Sequence, residues 1–303
     1  MDPKPQLIVI CGPTATGKSD LAVEIALHLQ GKAEVISADS RQIYTHLNLG
    51  TGKITPQEMR HVPHHMLDII TPDEVYSVAQ FKKDGEKVIT KVLGQKHTPI
   101  ICGGTGQYID ALVTNTNFPE VVADETLRSE LEEKTLEELL KIFFDLNKDQ
   151  PHKVDLKNKR RVIRAIEIVK TLGHIPALQS EEIYDVLYIG LNGPDELLRD
   201  KIKRRIDVRL EQGMIQESEQ LLSQGLITHE RMQKLGLEYK FISDLLHKEI
   251  TLEEFKEKLF FAIWHYAKRQ RVWFKKNTNI HWLDISDANL KNKAIELVDE
   301  FLK

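Results

Sequence analysis

The sequence predicts an α/β protein: a doubly wound parallel sheet with an inserted helical subdomain and a helical C-terminal region. Short apolar runs alternate with helical stretches over the first 115 residues, which is typical of a parallel sheet covered on both faces. From residue 124 to about residue 172 the periodicity is only helical, and a strand-like run then returns at 186–191. We therefore assign residues 1–115 and 185–303 to the core and residues 116–184 to the insertion.

The secondary-structure elements can be placed in order along the chain. Apolar runs predict strands at 7–11, 34–38, 98–102, 186–191 and 280–283. Helices are predicted directly after the first strand and near 77–93, and leucines at helical spacing predict further helices in the insertion. The C-terminal region is predicted to be mostly helical, with helices at 194–211, 214–223 and 252–274 and at the end of the chain.

The residues between the first strand and its helix read GPTATGKS and fit the pattern G-x-x-x-x-G-K-[ST]. In such a loop backbone N–H groups surround an anion, a lysine reaches toward it and a hydroxyl binds magnesium. The order strand, loop, helix is that of a P-loop NTPase-like sheet. We expect a polyphosphate, whose identity the loop leaves open, to bind Gly12, Pro13, Thr14, Ala15, Thr16, Gly17, Lys18 and Ser19.

Composition narrows the class of protein. Hydrophobic residues make up 41% and charged residues 29% of the chain, and its net charge is −4. With neither a membrane-length apolar run nor a signal-peptide pattern, we expect a cytoplasmic protein. Cys11 and Cys102 each end an apolar run, so we expect buried thiols rather than a disulfide or a zinc site. An anionic partner would have to be held by local basic patches.

Two strand ends carry candidate functional residues. Asp39 follows the second strand, at the edge of the sheet where ligands bind in such folds, although Asp39 or Ser40 could instead cap a following helix. The third strand runs into Gly103-Gly104-Thr105-Gly106, where glycines allow close approach of a ligand. The alternative there is a tight turn in which Thr105 caps a helix beginning at Gln107.

Two further motifs favour structural roles. Gly50-Thr51-Gly52-Lys53 is a weak signal that we interpret as a solvated loop. His61, His64 and His65 suggest a metal, but Pro63 disfavours a helix that would bring His61 and His65 together. With no thiol or carboxylate at ligand spacing, structural histidines near a strand end are favoured.

Basic residues concentrate in two places. Arg160, Arg161 and Arg164 share one predicted helix, and residues 268–276 mix cations with Trp273 and Phe274. Arginine interleaved with aromatic residues suits phosphate contacts and base stacking in RNA, whereas charge clusters are more often solvated surfaces. Neither patch decides between the two.

Eight blocks occur in order along nearly the whole chain: GPTATGKS, DSRQIY, GTGK, PHHMLD, GGTGQY, NKRRVIRAIE, RIDVR at 205–209 and YAKRQRVWF at 266–274. This ordered series resembles the tRNA isopentenyltransferase family of tRNA dimethylallyltransferases, which attach a five-carbon prenyl group to an adenine beside the anticodon. No zinc-finger tail follows Lys303, so the resemblance is to the bacterial form.

The resemblance implies a mechanism. Lys18 and an Mg²⁺ ion held by Ser19 would stabilise the departing diphosphate of dimethylallyl diphosphate. Asp39 would act as general base toward the exocyclic amine of an adenine flipped out of the anticodon loop, and Thr105 would hold the amine or the diphosphate. The implied tRNA contacts are Asp39, Ser40, Arg41, Gln42, Thr105, Arg128, Arg160, Arg161, Val162, Ile163 and Arg164. Arg128 could instead pair with Glu132 on its own helix.

Three other functions use the same motifs. A prenyltransferase for free adenine nucleotides would need the same loop and base but not the long helical region after Asn192. A P-loop kinase for a small molecule would hold ATP in the loop and set Asp39 against an acceptor hydroxyl. An RNA-binding module without activity would not require Lys18, Ser19, Asp39 and Thr105 together. We expect a monomer that binds tRNA and no membrane.

Overall fold

A computed structural model describes residues 3–119, 121, 124–147 and 154–303. The chain forms two compact units: residues 1–115 with 182–303, called here the core unit, and residues 116–181, the inserted unit. The sequence predicts the insertion at residues 116–184. No helix among the described residues is long and apolar enough to cross a membrane.

The core unit contains one six-stranded sheet in which every pairing is parallel. The strands are β1 (Gln6–Cys11), β2 (Ala33–Ser37), β3 (His64–His65), β4 (Thr98–Cys102), β5 (Asp185–Asn192) and β6 (Ile280–Asp284). Their order across the sheet is β3-β2-β4-β1-β5-β6. The predicted α/β class and parallel sheet are confirmed. Of the six strands, β3 alone was not predicted, because two residues are too few to show a periodic pattern.

Helices alternate with the strands and continue after them. Those of the core unit are α1 (Lys18–His28), α2 (Pro56–Met59), α3 (Val78–Gly94), α4 (Gly106–Val113), α8 (Asp195–Glu211), α9 (Met214–Ser223), α10 (His229–Leu235), α11 (Leu237–Leu246), α12 (Leu252–Phe274) and α13 (Leu290–Phe301). Those of the inserted unit are α5 (Glu125–Glu132), α6 (Leu136–Leu146) and α7 (Lys159–Leu172).

Both faces of the sheet are buried, which explains the uninterrupted apolar strands. Ile8 and Ile10 of β1 belong to a hydrophobic cluster that includes residues of α1 and α13. Leu7 and Val9 point to the opposite face and pack in a cluster with residues of α3 and α4. Cys11 and Cys102 end β1 and β4 as free, buried thiols, as predicted.

The helices after β5 form a third hydrophobic cluster in the core unit. Ile202 of α8 and Leu259 of α12 pack there with Ile43 and Leu47, which belong to the segment after β2. These contacts hold α8 and α12 beside the loops that follow the strands. Side chains on the same two helices can therefore reach the phosphate loop.

The inserted unit has its own hydrophobic core. Leu131 of α5, Phe143 of α6 and Ile166 of α7 are almost fully buried in it. Asn158 caps α7 by accepting a hydrogen bond from the Arg161 backbone N–H, and Thr135 forms a capping box at the start of α6. The predicted helical character of this region is confirmed.

Candidate active site

The phosphate loop at 12–19 runs from the end of β1 into the first turn of α1, and hydrogen bonds within the loop stabilise it. Gly17 precedes α1 with a φ of 87°, a left-handed conformation that favours glycine. The Lys18 Nζ and the Thr16 hydroxyl both donate to the Pro13 carbonyl, at 2.8 Å and 2.9 Å. Since no side chain caps α1, its first N–H groups remain available to an anion.

Arg205 of α8 adds positive charge beside this loop, whereas Arg209, one turn further on, lies against Gly52 and pairs with Glu238 at 3.4 Å. The Arg205 guanidinium donates to the Thr14 hydroxyl at 2.8 Å, and burial together with the neighbouring Arg209 lowers its pKa to about 9. Burial also lowers the pKa of Lys18, and the charge of Arg205 adds to this effect. Within the described residues, no carboxylate lies within salt-bridge distance of Lys18 or Arg205. The site therefore concentrates cationic charge that an anionic ligand would neutralise.

These groups line a cavity of about 600 Å³ in the core unit. Its wall includes Lys18, Ser19, Asp39, Gln42 and Arg205. The structure thus brings the phosphate loop and the end of β2 together in one space, as the strand-end argument requires. The volume falls within the usual range for small-molecule sites.

Asp39 does not cap a helix. Its Oδ1 accepts a hydrogen bond from the Arg41 backbone N–H at 2.8 Å, and the residues that follow form turns. This turn fixes the carboxylate at the cavity wall. The neighbouring Gln42 accepts from the Ser37 hydroxyl and donates to the Gly52 carbonyl, at 3.3 Å and 3.1 Å, and so links β2 to the next loop.

Thr105 occupies the N-cap position of α4, yet its hydroxyl does not cap the helix. That hydroxyl accepts from the Ser40 backbone N–H at 3.1 Å, and the Tyr266 side chain lies beside it. Burial raises the pKa of Tyr266 to about 12, so its phenol is neutral at physiological pH. The contact between Thr105 and Ser40 fastens the end of β4 to the end of β2. The interpretation of Thr105 as a simple helix cap is wrong, and α4 begins at Gly106 rather than Gln107.

The interpretation of the Gly50–Lys53 loop as solvated is also wrong. Lys53 is 9% exposed, and its Nζ donates to the Tyr44 carbonyl at 2.7 Å and to Asp68 Oδ1 at 2.5 Å. Gly52 lies so close to the Arg209 guanidinium that a Cβ would come within 1.5 Å of it. The loop forms part of the cavity wall. The motif Gly-Thr-Gly-Lys, considered without its surroundings, does not indicate this position.

His64 and His65, and also His97, have partners within the chain. His65 Nε2 and His97 Nδ1 lie 2.6 Å and 2.7 Å from the two oxygens of Glu34, whose side chain is nearly buried. His64 Nδ1 contacts the Val62 carbonyl at 2.8 Å. Nowhere in the described ranges do three or more His, Cys, Asp or Glu side chains form a group that could hold a metal ion.

In the inserted unit, a buried carboxylate organises two of the predicted RNA-binding arginines. Glu167 is 1% exposed; its Oε1 accepts from Arg128 Nε at 2.7 Å and its Oε2 from Arg164 Nη1 at 3.2 Å. Arg164 also donates to the Val121 carbonyl at 2.9 Å. Arg128 therefore pairs chiefly with α7 rather than with Glu132 of its own helix.

The remaining predicted positions on α7 divide by orientation. Arg160 and Arg161 are exposed, and Arg161 pairs with Asp155 at 3.2 Å. Val162 and Ile163, at 0% and 5% exposure, lie in the hydrophobic core of the inserted unit. Their side chains pack there, so the predicted tRNA contact at these two positions would have to be made by the backbone.

The cation-rich segment of α12 also differs from the RNA-stacking interpretation. Trp264 is buried, and Tyr266 and Trp273 are partly buried against the core unit. Lys268 lies over the Trp264 ring and Lys276 over the Trp273 ring, at 5.4 Å and 5.5 Å from the centroids. These rings already have partners within the chain, so the alternation of cation and aromatic residue is a packing pattern here.

Sequence reasoning did not assign Arg205, Arg209, Glu217 or Gln270 to the site, although RIDVR at 205–209 and YAKRQRVWF at 266–274 are among the eight blocks. Arg205 and Arg209 stand one helical turn apart, a spacing that a search for pairs of cations facing one ligand could have found. Glu217 of α9 accepts hydrogen bonds from the backbone N–H groups of Asn48 and Leu49. These contacts hold the residues that lead into the Gly50–Lys53 loop. Nothing local to residue 217 in the sequence indicates this contact.

Comparisons of sequence with known proteins agree on one family. A family model described as IPP transferase matches residues 42–277. The protein named tRNA dimethylallyltransferase 2 from Shewanella sediminis is 41% identical over 298 residues, covering 96% of this chain and 97% of the relative. The protein named tRNA dimethylallyltransferase from Staphylococcus aureus is 35% identical over 309 residues, covering 98% of each.

Solved structures give the same result. The full-length tRNA isopentenylpyrophosphate transferase from Bacillus halodurans matches with a TM-score of 0.73 at 34% identity, over 99% of this chain and 98% of that protein. A eukaryotic dimethylallyltransferase, described as acting on tRNA, matches with a TM-score of 0.81 at 26% identity. That match covers 98% of this chain and 79% of the eukaryotic one.

Proposed function

The chain belongs to the IPP transferase family, and from this premise we propose that it prenylates tRNA. It would transfer the dimethylallyl group of dimethylallyl diphosphate to the exocyclic amine of the adenine 3′-adjacent to the anticodon, releasing diphosphate. The observation that carries this proposal is one cavity that combines a phosphate loop, unpaired cations and the Asp39 carboxylate. The names of the relatives supply the prenyl group and the tRNA.

The cationic wall suits the leaving group. When the allylic C–O bond breaks, negative charge grows on the departing diphosphate, and preorganised donors stabilise that charge most where water is excluded. Lys18, Arg205 and the N–H groups at the start of α1 supply such donors. The same positive charge would hold the donor substrate before reaction.

Magnesium fits this donor set. The Ser19 hydroxyl and the Asp39 carboxylate line the cavity, and Mg²⁺ prefers oxygen ligands that include substrate phosphates. We assign Ser19 as the protein ligand. A bound Mg²⁺ would add positive charge next to the diphosphate.

Asp39 is positioned to accept the proton of the acceptor. The new bond joins the adenine exocyclic nitrogen to the allylic carbon, the C–O bond to diphosphate breaks, and one N–H proton must leave. Asp39 would take that proton, since its carboxylate stands at the cavity wall in a turn closed by the Arg41 N–H. Thr105, fastened to Ser40, would orient the amine.

The polymer substrate requires contacts beyond the cavity. We assign Ser40, Arg41 and Gln42 to the flipped adenine, and Arg128, Arg160, Arg161 and Arg164 of the inserted unit to the tRNA backbone. Exposed Arg160 and Arg161 are the simplest phosphate ligands of this set. We propose in addition that the protein acts as a monomer in the cytoplasm, where tRNA is available.

The test is a transfer assay with defined products. The purified chain is incubated with Mg²⁺, dimethylallyl diphosphate and unmodified tRNA, and the digested RNA is analysed by mass spectrometry for prenylated adenosine. Appearance of that nucleoside supports the proposal. Product on free AMP, ADP or ATP alone, or phosphoryl transfer from ATP in place of prenylation, would contradict it.

The role of Asp39 has its own test. Asp39→Asn keeps an oxygen that can accept from the Arg41 N–H but removes the base, so turnover should be abolished while tRNA affinity stays within about twofold. Asp200→Asn, at an exposed position on α8, is the matched control. Near-normal turnover of Asp39→Asn would remove Asp39 from the role of base.

A further inference from the structure

One face of α12 lies against the turn that carries Thr105. Tyr266, Gln270 and Trp273 are spaced at i, i+4 and i+7 and so share a helix face. The Tyr266 side chain lies beside Thr105, and Trp273 Nε1 donates to Asp110 Oδ2 of α4 at 2.9 Å. The helix therefore contacts the end of β4 at several points.

Gln270 stands in the middle of this face and joins two loops of the site. It is 5% exposed. Its Oε1 accepts from the Thr14 backbone N–H in the phosphate loop, and its Nε2 donates to the Gly104 carbonyl in the β4 turn, both at 2.8 Å. One amide thus uses both its polar atoms to bridge the loop of Lys18 and the turn of Thr105.

The glycines of the β4 turn fit the side chains of α12. A Cβ on Gly104 would come within 2.2 Å of Gln270 Nε2, and a Cβ on Gly106 within 2.2 Å of the Trp273 ring. Apart from Gln270, the nearest atom to the Gly104 position is the Gly12 carbonyl oxygen at 3.7 Å, which is ordinary contact. Of the three atoms nearest to that position, only the two of the Gln270 amide obstruct a Cβ at residue 104.

We propose that Gln270 is a positioning residue for prenyl transfer, one that fixes the separation between the diphosphate-binding loop and the turn that orients the acceptor amine. The proposal rests on the proposed function. Transfer requires the leaving group and the amine to lie in line across the allylic carbon, and an ångström of misplacement can cost about 10²-fold in rate. A buried amide with two short hydrogen bonds can hold that distance, whereas a single contact to either loop cannot.

The first test separates the two hydrogen bonds. Gln270→Glu keeps an acceptor for Thr14 but cannot donate to Gly104, and Gln270→Ala removes both bonds. We expect kcat to fall about 10-fold or more in Gln270→Glu and about 10²-fold in Gln270→Ala, with tRNA affinity unchanged and KM for dimethylallyl diphosphate moving less than kcat. Gln220→Glu, at an exposed position on α9, is the control. A Gln270→Glu enzyme with normal kcat would overturn the proposal.

The second test uses the glycine. Gly104→Ala should lower kcat about as much as Gln270→Ala, because the methyl group must displace the amide. In the Gln270→Ala background, however, Gly104→Ala should cost less than about threefold, since the obstructing amide is gone. Equal losses in both backgrounds would show that Gly104 acts independently of Gln270 and would contradict the proposal.

A third measurement needs no substrate. In the free protein, hydrogen exchange at the Thr14 amide should accelerate at least about tenfold in Gln270→Ala and stay near normal in Gln270→Glu, which retains the acceptor. Unchanged exchange in Gln270→Ala would overturn the bridge itself. If the bridge is present but the wild-type chain prenylates no tRNA, the proposed function fails and not the geometry.

Discussion

Two cations at the cavity of the core unit and two arginines of the inserted unit are held in opposite ways. In the core unit, Lys18 and Arg205 bond only neutral oxygens, those of the Pro13 carbonyl and the Thr14 hydroxyl. In the inserted unit, Arg128 and Arg164 both pair with Glu167, a carboxylate that is almost fully buried. Burial lowers the pKa of Lys18 and of Arg205. For Arg128 the effect of burial is outweighed by hydrogen bonding and charge attraction to its acidic partners, Glu167 foremost, so its pKa is raised.

The difference indicates where charge is kept for a ligand. A partly buried cation without an anionic partner is unfavourable in the free protein, so its retention points to an anion supplied from outside. A paired arginine is already neutralised, and its remaining N–H groups are fixed in direction. We infer that the core unit is built to receive a compact polyanion, while the inserted unit offers oriented donors on an extended surface.

The largest effect is expected from removing Lys18, one of the two unpaired cations of the core unit. Lys18→Met should lower kcat/KM for dimethylallyl diphosphate about 10²- to 10³-fold, because it deletes a donor aimed at the leaving group. The affinity for tRNA should remain within about twofold. Steady-state kinetics and filter binding measure the two quantities, with the exposed Lys87→Met of α3 as control. A loss confined to tRNA binding would reverse the assignment of the two units.

Glu167→Gln is the corresponding change in the inserted unit. It leaves two partly buried arginines without their anion, and we expect the free energy of opening of α5 and α7 to fall by about 1–3 kcal/mol. Hydrogen exchange of peptides from these helices measures that change. The KM for dimethylallyl diphosphate should stay normal, and the exposed Glu137→Gln is the control. Normal protection of α5 would mean that Glu167 does not organise this unit.

The fold could be predicted from the sequence because its signals are local. Uninterrupted apolar strands such as 7–11 and 98–102 require burial on both faces, and a change to helical periodicity marks the insertion. The two-residue strand β3 carries no such signal. Its place in the sheet depends on pairing with β2, a contact across about 30 residues of chain.

The candidate site was predictable only where motif and strand end coincide. Asp39 and the phosphate loop follow β2 and β1 directly, and parallel strands bring their ends together. Arg205 and Gln270 come from helices about 190 and 260 residues away from Thr14, and no pattern near them names their partner. The burial of Lys53 likewise depends on Asp68 and Tyr44, which the GTGK letters do not reveal.

Because the pKa of Arg205 is low, diphosphate binding in the core unit should depend on pH. At about 9 in the folded, ligand-free protein, this pKa lies below the usual 12.5, because of burial and the nearby Arg209, with Glu238 and Asp39 opposing the shift. Above pH 9 the free site loses this proton, so binding of inorganic diphosphate must take one up. Affinity should fall by up to about tenfold per pH unit from this group. Lys18 acts in the same direction.

Calorimetric titration with inorganic diphosphate from pH 8 to 10.5 measures this effect. Arg205→Gln should bind more weakly at pH 8 and show a shallower decline above pH 9. It should not destabilise the free protein at pH 8, since the wild-type guanidinium is charged in both states there and its burial is unfavourable. An identical decline in wild type and variant would exclude Arg205 as the titrating group.

Arg160 should give the smallest effect, because it is exposed and acts on a screened surface. Within the described residues, no carboxylate lies within salt-bridge distance of it, whereas its neighbour Arg161 pairs with Asp155 at 3.2 Å. Arg160→Ala should weaken tRNA binding about 3- to 10-fold and reduce the slope of log K against log salt by about 1. Arg161→Ala should do less, since Asp155 already offsets part of its charge. Neither variant should change KM for dimethylallyl diphosphate, because the charge that holds the donor lies in the core unit. An unchanged salt slope for Arg160→Ala would remove the start of α7 from the tRNA contact and leave Arg128 and Arg164, on their shared Glu167, as the RNA-binding arginines of the inserted unit.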